Sequence, residues 1–516
     1  MELFEGISRR SLLGAASSAA LSAGLTSSAF AQAGAAGRPA ERDSLRQARA
    51  AVAAERERIL KISREVWAKP AIGLREQAAM EVHIKALEAA GFKIVSRNSG
   101  GHPTAFVAEW ARGNGGPKVG FLPEYDALPG LGNQAVAEKK PTADGVTDGH
   151  GCGHNMLGAA CTGAGIALKA MMEARGLNGT VRVYGCGAEE TQGAKVYMAR
   201  AGLFEDLDAA LAWHPHTEAG AGLLQTAANR GIKFKFKGKS AHAGIAPWQG
   251  RSALDGAELL THAINLMREH REPTARLHYI YEMGGLAPNV VPDEATVYMK
   301  ARDATTPLLE ETMAWLKDAA KGAALAAQVQ CEVQVFIGVA ELIPNEPLAR
   351  RIYEHLVNTP LNWTEDEQEF AKKLQRAANL KETGMATKPL PFIPLMTAGG
   401  STDCADISWN TPTGLFAWPS VSREMAFHTW QVTAAGGMSI GDKATIQAAE
   451  ILTATGLDVM TDAELRARAK ADLQKRTDGR KYVCALDPNQ KEPVDLPDFL
   501  RKDGRDELTQ GLPTEG

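Results

Sequence analysis

Apolar residues change their spacing along the chain, and the changes divide it into parts. From Ser44 to Trp67 they recur every three or four positions on a charged background, which predicts one amphipathic helix stopped by Pro70. A second helix is predicted from about Glu76 to Ala90, with Gly91 as its C-terminal cap. Short strand-like runs follow at Lys93–Val95, Ala105–Trp110 and Val119–Leu122. A helix of small residues runs from about Asn155 to Met172, and core strands lie at Thr180–Tyr184 and Ala209–Trp213. Continuously apolar strands alternating with helices imply an α/β fold with a mostly parallel sheet covered on both faces.

The pattern then changes. Ile232–Phe236 alternates lysine with apolar residues, as a strand with one buried face does. A helix over Ser252–His270, strands at Leu277–Met283 and Ala295–Ala301, a helix over about Pro307–Leu325 and a strand at Val329–Phe336 complete the order β-α-β-β-α-β. That is the order of a ferredoxin-like unit. It occupies 228–338 and reads as an insertion between two parts of a larger domain, 45–227 and 339–460. Residues 361–390 are polar and charged with helical stretches, and read as a surface excursion beside the active site. The tail, 461–516, is expected to add little beyond a helix at Asp462–Gln474.

Composition narrows the class. The chain has 516 residues, enough for two sizeable cores, with 44 % hydrophobic and 23 % charged residues and a net charge of −4. That balance gives no nucleic-acid surface. Arg9 and Arg10 precede a weakly apolar run ending in Ala29-Phe30-Ala31, the pattern of a twin-arginine export signal over 1–31. The alternative is an uncleaved membrane anchor. Past the signal no apolar run is long enough to span a bilayer, so a periplasmic location without a membrane association is expected. The six cysteines lack the dense spacing of a disulfide scaffold. Export of an already folded chain would let a thiolate be committed to a metal before it meets oxidant.

Four short segments carry candidate chemistry. Gly149-His150-Gly151-Cys152-Gly153-His154-Asn155 sets a thiol and an imidazole two residues apart in a glycine-rich turn before a helix. Sulfur and imidazole nitrogen suit zinc and its neighbours; an incidental tight turn is the plainer reading. Glu189 and Glu190 follow the end of a core strand, where open α/β sheets place their sites. One carboxylate can bind metal while the other takes a proton, though a solvated acidic turn has the same sequence. His214, in Trp213-His214-Pro215-His216, again follows a core strand, where a histidine is more often structural than a ligand, and His428, far along the chain, says little on its own. Together Cys152, His154, Glu190, His214 and His428 make a mixed sulfur, nitrogen and oxygen ligand set for two metals.

These segments occur with others: Glu124-Tyr-Asp126-Ala-Leu, Gly250-Arg251-Ser-Ala-Leu-Asp255, Pro288-Asn289-Val-Val and His428-Thr-Trp-Gln431. In that order, from about residue 50 to 458, the chain resembles the M20 metallopeptidase and amidohydrolase family, nearest its aminobenzoyl-glutamate hydrolase branch of the B-subunit type. The resemblance implies a zinc-peptidase-like catalytic domain, an inserted lid domain and homodimers formed through the lids. It implies two divalent ions, zinc or manganese first, with cobalt or nickel also compatible. Cys152, His154, Glu190, His214 and His428 fall on the ligand positions, Cys152 where a bridge between the ions is expected. Glu189 falls on the general base. His242 falls on a lid histidine that reaches the partner's active site, and Asn289 on a lid position that holds substrate. Arg251 is a further candidate for a substrate carboxylate, or a lid-surface residue at a helix start. Asp126 either orients a ligand from behind or simply forms a turn. Trp248 and His216 depart from the family pattern and bear on the substrate.

The implied reaction is hydrolysis of an amide in an N-acyl amino acid or aminobenzoyl-glutamate-like conjugate, by a metal-activated water with Glu189 as base. Cleavage of ordinary peptide bonds uses the same groups. A non-catalytic metal or ligand binder has no need for Glu189.

Overall fold

The structure, a computed structural model, describes residues 39–493. The export signal read at 1–31 and the last part of the tail lie outside the described residues. In chain order the strands are β1 (Lys93–Arg97), β2 (Phe106–Arg112), β3 (Lys118–Phe121), β4 (Gly179–Gly185), β5 (Ala209–Leu211), β6 (His214–His216) and β7 (Gly222–Thr226). The rest are β8 (Ala228–Lys237), β9 (Arg276–Met283), β10 (Glu294–Asp303), β11 (Gln330–Val339), β12 (Ile393–Ala398), β13 (Thr413–Gly414) and β14 (Ala417–Pro419).

The larger sheet has the order β1-β2-β4-β3-β5-β13. From β4 through β3 and β5 to β13 every pairing is parallel, while β1 and β2 form an antiparallel edge. Helices His154–Arg175 and Ser439–Thr461 pack together, and their apolar residues join those of the sheet in the main core. Both are rich in Ala, Gly and Thr, so their backbones approach closely. Two features differ from expectation. The predicted strand Ala209–Trp213 ends as β5 at Leu211, but its ladder continues: Ala212 N–H donates to Gly414 O and His214 N–H to Phe416 O, leading into β6 beside β14. The single helix expected over Ser44–Trp67 is two, Asp43–Ala54 and Arg56–Trp67, broken at Glu55. The break lets Leu45 and Ala48 pack on Ala454, while Ile59 drops into the hollow at Gly163, where a Cβ would lie 2.4 Å from its Cγ1.

The inserted unit is a second sheet in the order β11-β8-β10-β9, antiparallel throughout. Helices Ala253–Met267 and Thr306–Ala327 cover one face, and Ser252 caps the first of them by accepting from Asp255 N–H. On β10, Ala295, Val297, Met299 and Ala301 are buried in the core those helices share with the sheet. Strand alternation therefore puts Thr296, Tyr298, Lys300 and Arg302 on the opposite, helix-free face.

Two polar segments are more integrated than their composition indicated. Residues 361–390 run over the surface, mostly exposed or half-buried, but are anchored at a few positions. Thr364 and Glu367 form a capping box on helix Glu365–Ala377. Ala371, Leu374, Met385 and Ala386 are buried, and Gln375 donates to Arg423 O and accepts from Gly384 N–H. A few apolar positions in a charged helix suffice to dock it on the segment leading to His428. The tail likewise packs: beyond helix Ala463–Thr477, Tyr482 donates to Asp406 (2.8 Å), Leu486 is buried, and Gln490 donates to Tyr197. Among the described residues no helix is long and apolar enough to cross a membrane.

Candidate metal centre

Three neighbouring parallel strands deliver the chemistry from their C-terminal ends, where strand-end loops leave a crevice. Glu124 and Asp126 follow β3, Glu189 and Glu190 follow β4, and His214 opens β6 just past β5. The β3 and β4 exits stay in register through a parallel bridge between Glu124 and Cys186. Cys152 and His154 arrive on the turn into helix His154–Arg175. Gly153 makes that turn with φ +79°, and a Cβ there would lie 2.9 Å from Pro215. His428 adopts φ 61°, and Ala188, just before Glu189, φ 55°. Side chains rarely hold this region; His428 is itself a candidate ligand and Ala188 adjoins Glu189.

The five predicted ligands converge. Cys152, His154 and His214 present atoms all within 4.8 Å of one another, as do Cys152, Glu190 and His428. Cys152 belongs to both groups, the position a bridging thiolate needs. Cys152 Sγ is 3.4 Å from His214 Nε2, and His428 Nε2 is 3.1 Å from Glu190 Oε1. Hydrogen bonds behind the ligands aim them. Asp126 Oδ1 holds His154 Nδ1 at 2.9 Å, and Asp126 Oδ2 accepts from Glu190 N–H at 2.9 Å. Pro215 O holds His214 Nδ1 at 2.7 Å. Each leaves a ring Nε2 facing inward, and that of His154, buried, has no hydrogen-bond partner. This donor set fits divalent ions that accept sulfur, nitrogen and oxygen together. Asp126 bonds both His154 and the Glu190 backbone, the placement an orienting residue needs.

The adjacent glutamates are electrostatically unlike. Burial, with Glu124, Asp403 and Glu190 close by, pushes the Glu189 carboxyl well above its ordinary range. Burial opposes ionisation of Glu190 too, but His428 and His154 outweigh it and hold that carboxyl low. Two neighbouring carboxyls driven apart in this way suit different tasks, one as a proton carrier and the other as a fixed anion. Glu189 also shares a candidate ligand cluster with Glu124 and His154.

Sequence reasoning missed the support behind this wall. Lys195 is fully buried, 2.7 Å from Glu124 Oε1 and 2.5 Å from Asp403 Oδ1. Glu124 Oε2 in turn lies 3.3 Å from His154 Nε2. Glu124 stood in a quoted motif, but a lysine in a short helix and an aspartate two hundred residues away carried no signal of their own.

The lid residues lie apart from this convergence. His242 is exposed, its Nδ1 accepting from Gly244 and Ile245 N–H. Asn289 is exposed, and its carbonyl accepts from Ala243 N–H. Arg251 directs its guanidinium to Gln328, Trp248 O and Gly250 O, all within the lid. Trp248 is 72 % exposed. His216 is part-buried beside Phe427, with Nδ1 accepting from Glu218 N–H. His150 is buried against Val66 O.

Candidate ligands gathered at parallel strand ends, two clusters of them sharing Cys152, with Glu189 beside them, have the chemistry of a metal-dependent hydrolase. Comparison with known proteins agrees. The peptidase dimerisation domain of the M20 type matches residues 228–327. The chain is 35 % identical over 468 residues to the B subunit of p-aminobenzoyl-glutamate hydrolase from Escherichia coli, covering 85 % of this chain and 96 % of that one. It is 30 % identical over 438 residues to Xaa-Arg dipeptidase of Mus musculus, covering 81 % and 90 %. In fold it is similar to a dinuclear metal-binding M20 peptidase from Bacillus subtilis, with a TM-score of 0.52 at 17 % identity over 79 % of this chain and 99 % of that one. The chain belongs to the M20 family of metallopeptidases and amidohydrolases, and is a hydrolase of amide bonds with an inserted dimerisation domain.

Proposed function

We propose that the protein hydrolyses the amide of N-acyl amino acids or aminobenzoyl-glutamate-like conjugates. The observation that carries this reading is the pairing of two candidate ligand groups around Cys152 with the Glu189 carboxyl beside them. Two divalent ions, zinc or manganese first and cobalt or nickel compatible, would be held by Cys152 with His154 and His214, and by Cys152 with Glu190 and His428. They would supply Lewis acidity, polarising the amide carbonyl and acidifying a water molecule. Asp126 keeps His154 in the tautomer that presents Nε2. Glu189 accepts the proton of the attacking water and returns it to the leaving amine.

The lid adds the rest: Asn289 to substrate, and His242 to the developing oxyanion in the site of a second copy, in a homodimer joined through the lids. The E. coli relative is named as one of the subunits of a hydrolase, so a second kind of chain is the alternative partner. Dipeptide cleavage is the second reading, favoured by the likeness to a dipeptidase. A panel of N-acyl amino acids against dipeptides separates the two. Export by the twin-arginine route is proposed from Arg9 and Arg10; Arg9→Lys with Arg10→Lys should leave the protein in the cytoplasm.

The test of the chemistry is Glu189→Gln. Metal content and fold should be kept, while turnover falls about 100- to 10,000-fold, the usual worth of a positioned base. Undiminished turnover in a metal-replete variant would sink the assignment.

A further inference from the structure

The chain enters the lid at Ala228 and leaves it after Val339, and these two strand ends are neighbours, Asn229 pairing with Val339. A unit joined through two adjacent strands can turn about them as a hinge. The residues of the lid's apolar core all come from the lid itself. The tail, which no step of the chemistry above uses, crosses this junction.

From Arg480 to Lys491 the tail touches three separate parts. On the lid, β11 is an edge strand whose register slips between Val335 and Ile337, which leaves Phe336 out of the ladder. Phe336 O accepts instead from Gln490 Nε2 at 3.3 Å. A Cβ on Gly338 would lie 2.4 Å from that of Ala485, so the missing side chain is what lets the tail lie against the strand. Where the chain leaves the lid, Asp406 Oδ1 accepts from the Tyr482 hydroxyl at 2.8 Å, and its Oδ2 accepts from Ala340 N–H at 3.3 Å. On the catalytic domain, Arg200 donates to Gln490 O at 2.7 Å and to Lys491 O at 3.2 Å, while Gln490 Nε2 also reaches the Tyr197 hydroxyl at 2.8 Å. Val339 of the lid, Val196 and Tyr197 of helix Ala194–Arg200, and Leu486 of the tail form one apolar cluster. The same helix carries Lys195, paired with Glu124 and Asp403 behind the candidate ligands.

We propose that residues 480–491 are a strap that holds the lid at its hinge and limits how far it swings from the catalytic domain. This goes beyond the hydrolase reading and does not depend on it. With the strap loosened, Thr306 N–H to Glu341 (2.9 Å), Gln225 to Ala304 O (3.2 Å) and Arg302 to Gly399 O (3.2 Å) still tie the lid on. The lid therefore stays folded and attached, and moves more.

Hydrogen–deuterium exchange on the full chain tests this with Leu486→Asp, which puts a charge into the shared cluster. Ala227 N–H, 2.9 Å from Gly400 O, reports the other strand of the hinge, and no tail residue bonds to either. In Leu486→Asp, exchange at Ala227 and over 336–341 should quicken about 10- to 100-fold, the worth of one buried leucine. β10 and helix His154–Arg175 should exchange as before, and Leu486→Met should behave as the wild type. Faster exchange confined to the tail and its own contacts, with Ala227 unchanged, would mean local fraying and overturns the proposal. An equal rise across both domains overturns it too, since the tail would then be a general stabiliser and not a strap.

Discussion

The catalytic domain and the lid contribute to the site in opposite ways. On the catalytic domain the candidate ligands are interlocked: Asp126 bonds both His154 and the backbone of Glu190, and Lys195 ties Glu124 to Asp403 beneath them. Those groups are buried or nearly so, whereas His214 and His428 are exposed. On the lid, His242 and Asn289 are exposed among Ile245, Trp248, Leu286 and Val290, which are 70 %, 72 %, 93 % and 43 % exposed. Their backbones are fixed by Ala243 N–H to Asn289 O and Val291 N–H to Ala241 O, but their side chains have little to pack on within the chain. The proposed chemistry thus stands on strand ends, while the groups proposed for recognition stand on an exposed surface.

The comparison breaks most sharply at Lys195. Lys195→Met keeps the length of the side chain but leaves Glu124 and Asp403 buried without a cation. Loss of one partner of a buried ion pair costs about 3–5 kcal/mol, so chemical denaturation should show a drop of that order. A loss below about 1 kcal/mol would mean that the cluster is not the scaffold of the wall. Asp126→Asn is gentler. It retains a hydrogen bond to His154 but not the charge, and should lower metal affinity about 10- to 100-fold by competition with a chelator. Unchanged affinity would return Asp126 to a plain turn former.

Much of the catalytic half was legible in the sequence because its parts are local. Cys152 and His154 share one turn, Glu189 and Glu190 are adjacent, and each set sits at the end of a readable strand. The ferredoxin-like order of the lid was legible too, since strand alternation such as that of Lys233, Lys235 and Lys237 with Ile232, Phe234 and Phe236 marks one buried face. What sequence could not give was pairing at a distance. β6 and β14 are three residues each, and β7 pairs with β12 far along the chain, too little for periodicity to register. Lys195 looked like any helix-surface lysine until Asp403 arrived beside it. Helix Glu365–Ala377 looked solvated because its buried face is Glu367, Ala371, Leu374 and Gln375, half of it polar.

The buried wall should also be the acid-labile part. Burial lowers His83 and His102 to about 3, so both stay neutral in the fold. The unfolded chain protonates them near 6.5. Between about 6.5 and 3 the unfolded state therefore binds more protons, and stability falls as pH falls through that window. Each histidine contributes up to about 2 kcal/mol of loss between pH 6.5 and 5. His83→Gln, which cannot take the proton, should flatten the decline measured by urea midpoints. An identical slope would show that His83 is not part of it.

The smallest effect is expected on the lid, and it sharpens the contrast. Trp248 is 72 % exposed, so within a single chain Trp248→Ala removes almost no packing and should change stability by no more than about 0.5 kcal/mol. If the lid face is covered by a second copy, the same substitution acts on association instead. Melting temperature should then depend on protein concentration in the wild type, and the variant should dissociate at concentrations where the wild type does not. A dimer of unaltered affinity in the variant would place the contact elsewhere on the lid. A large loss of stability independent of concentration would mean that Trp248 packs within its own chain, and the two halves would be less different than they look.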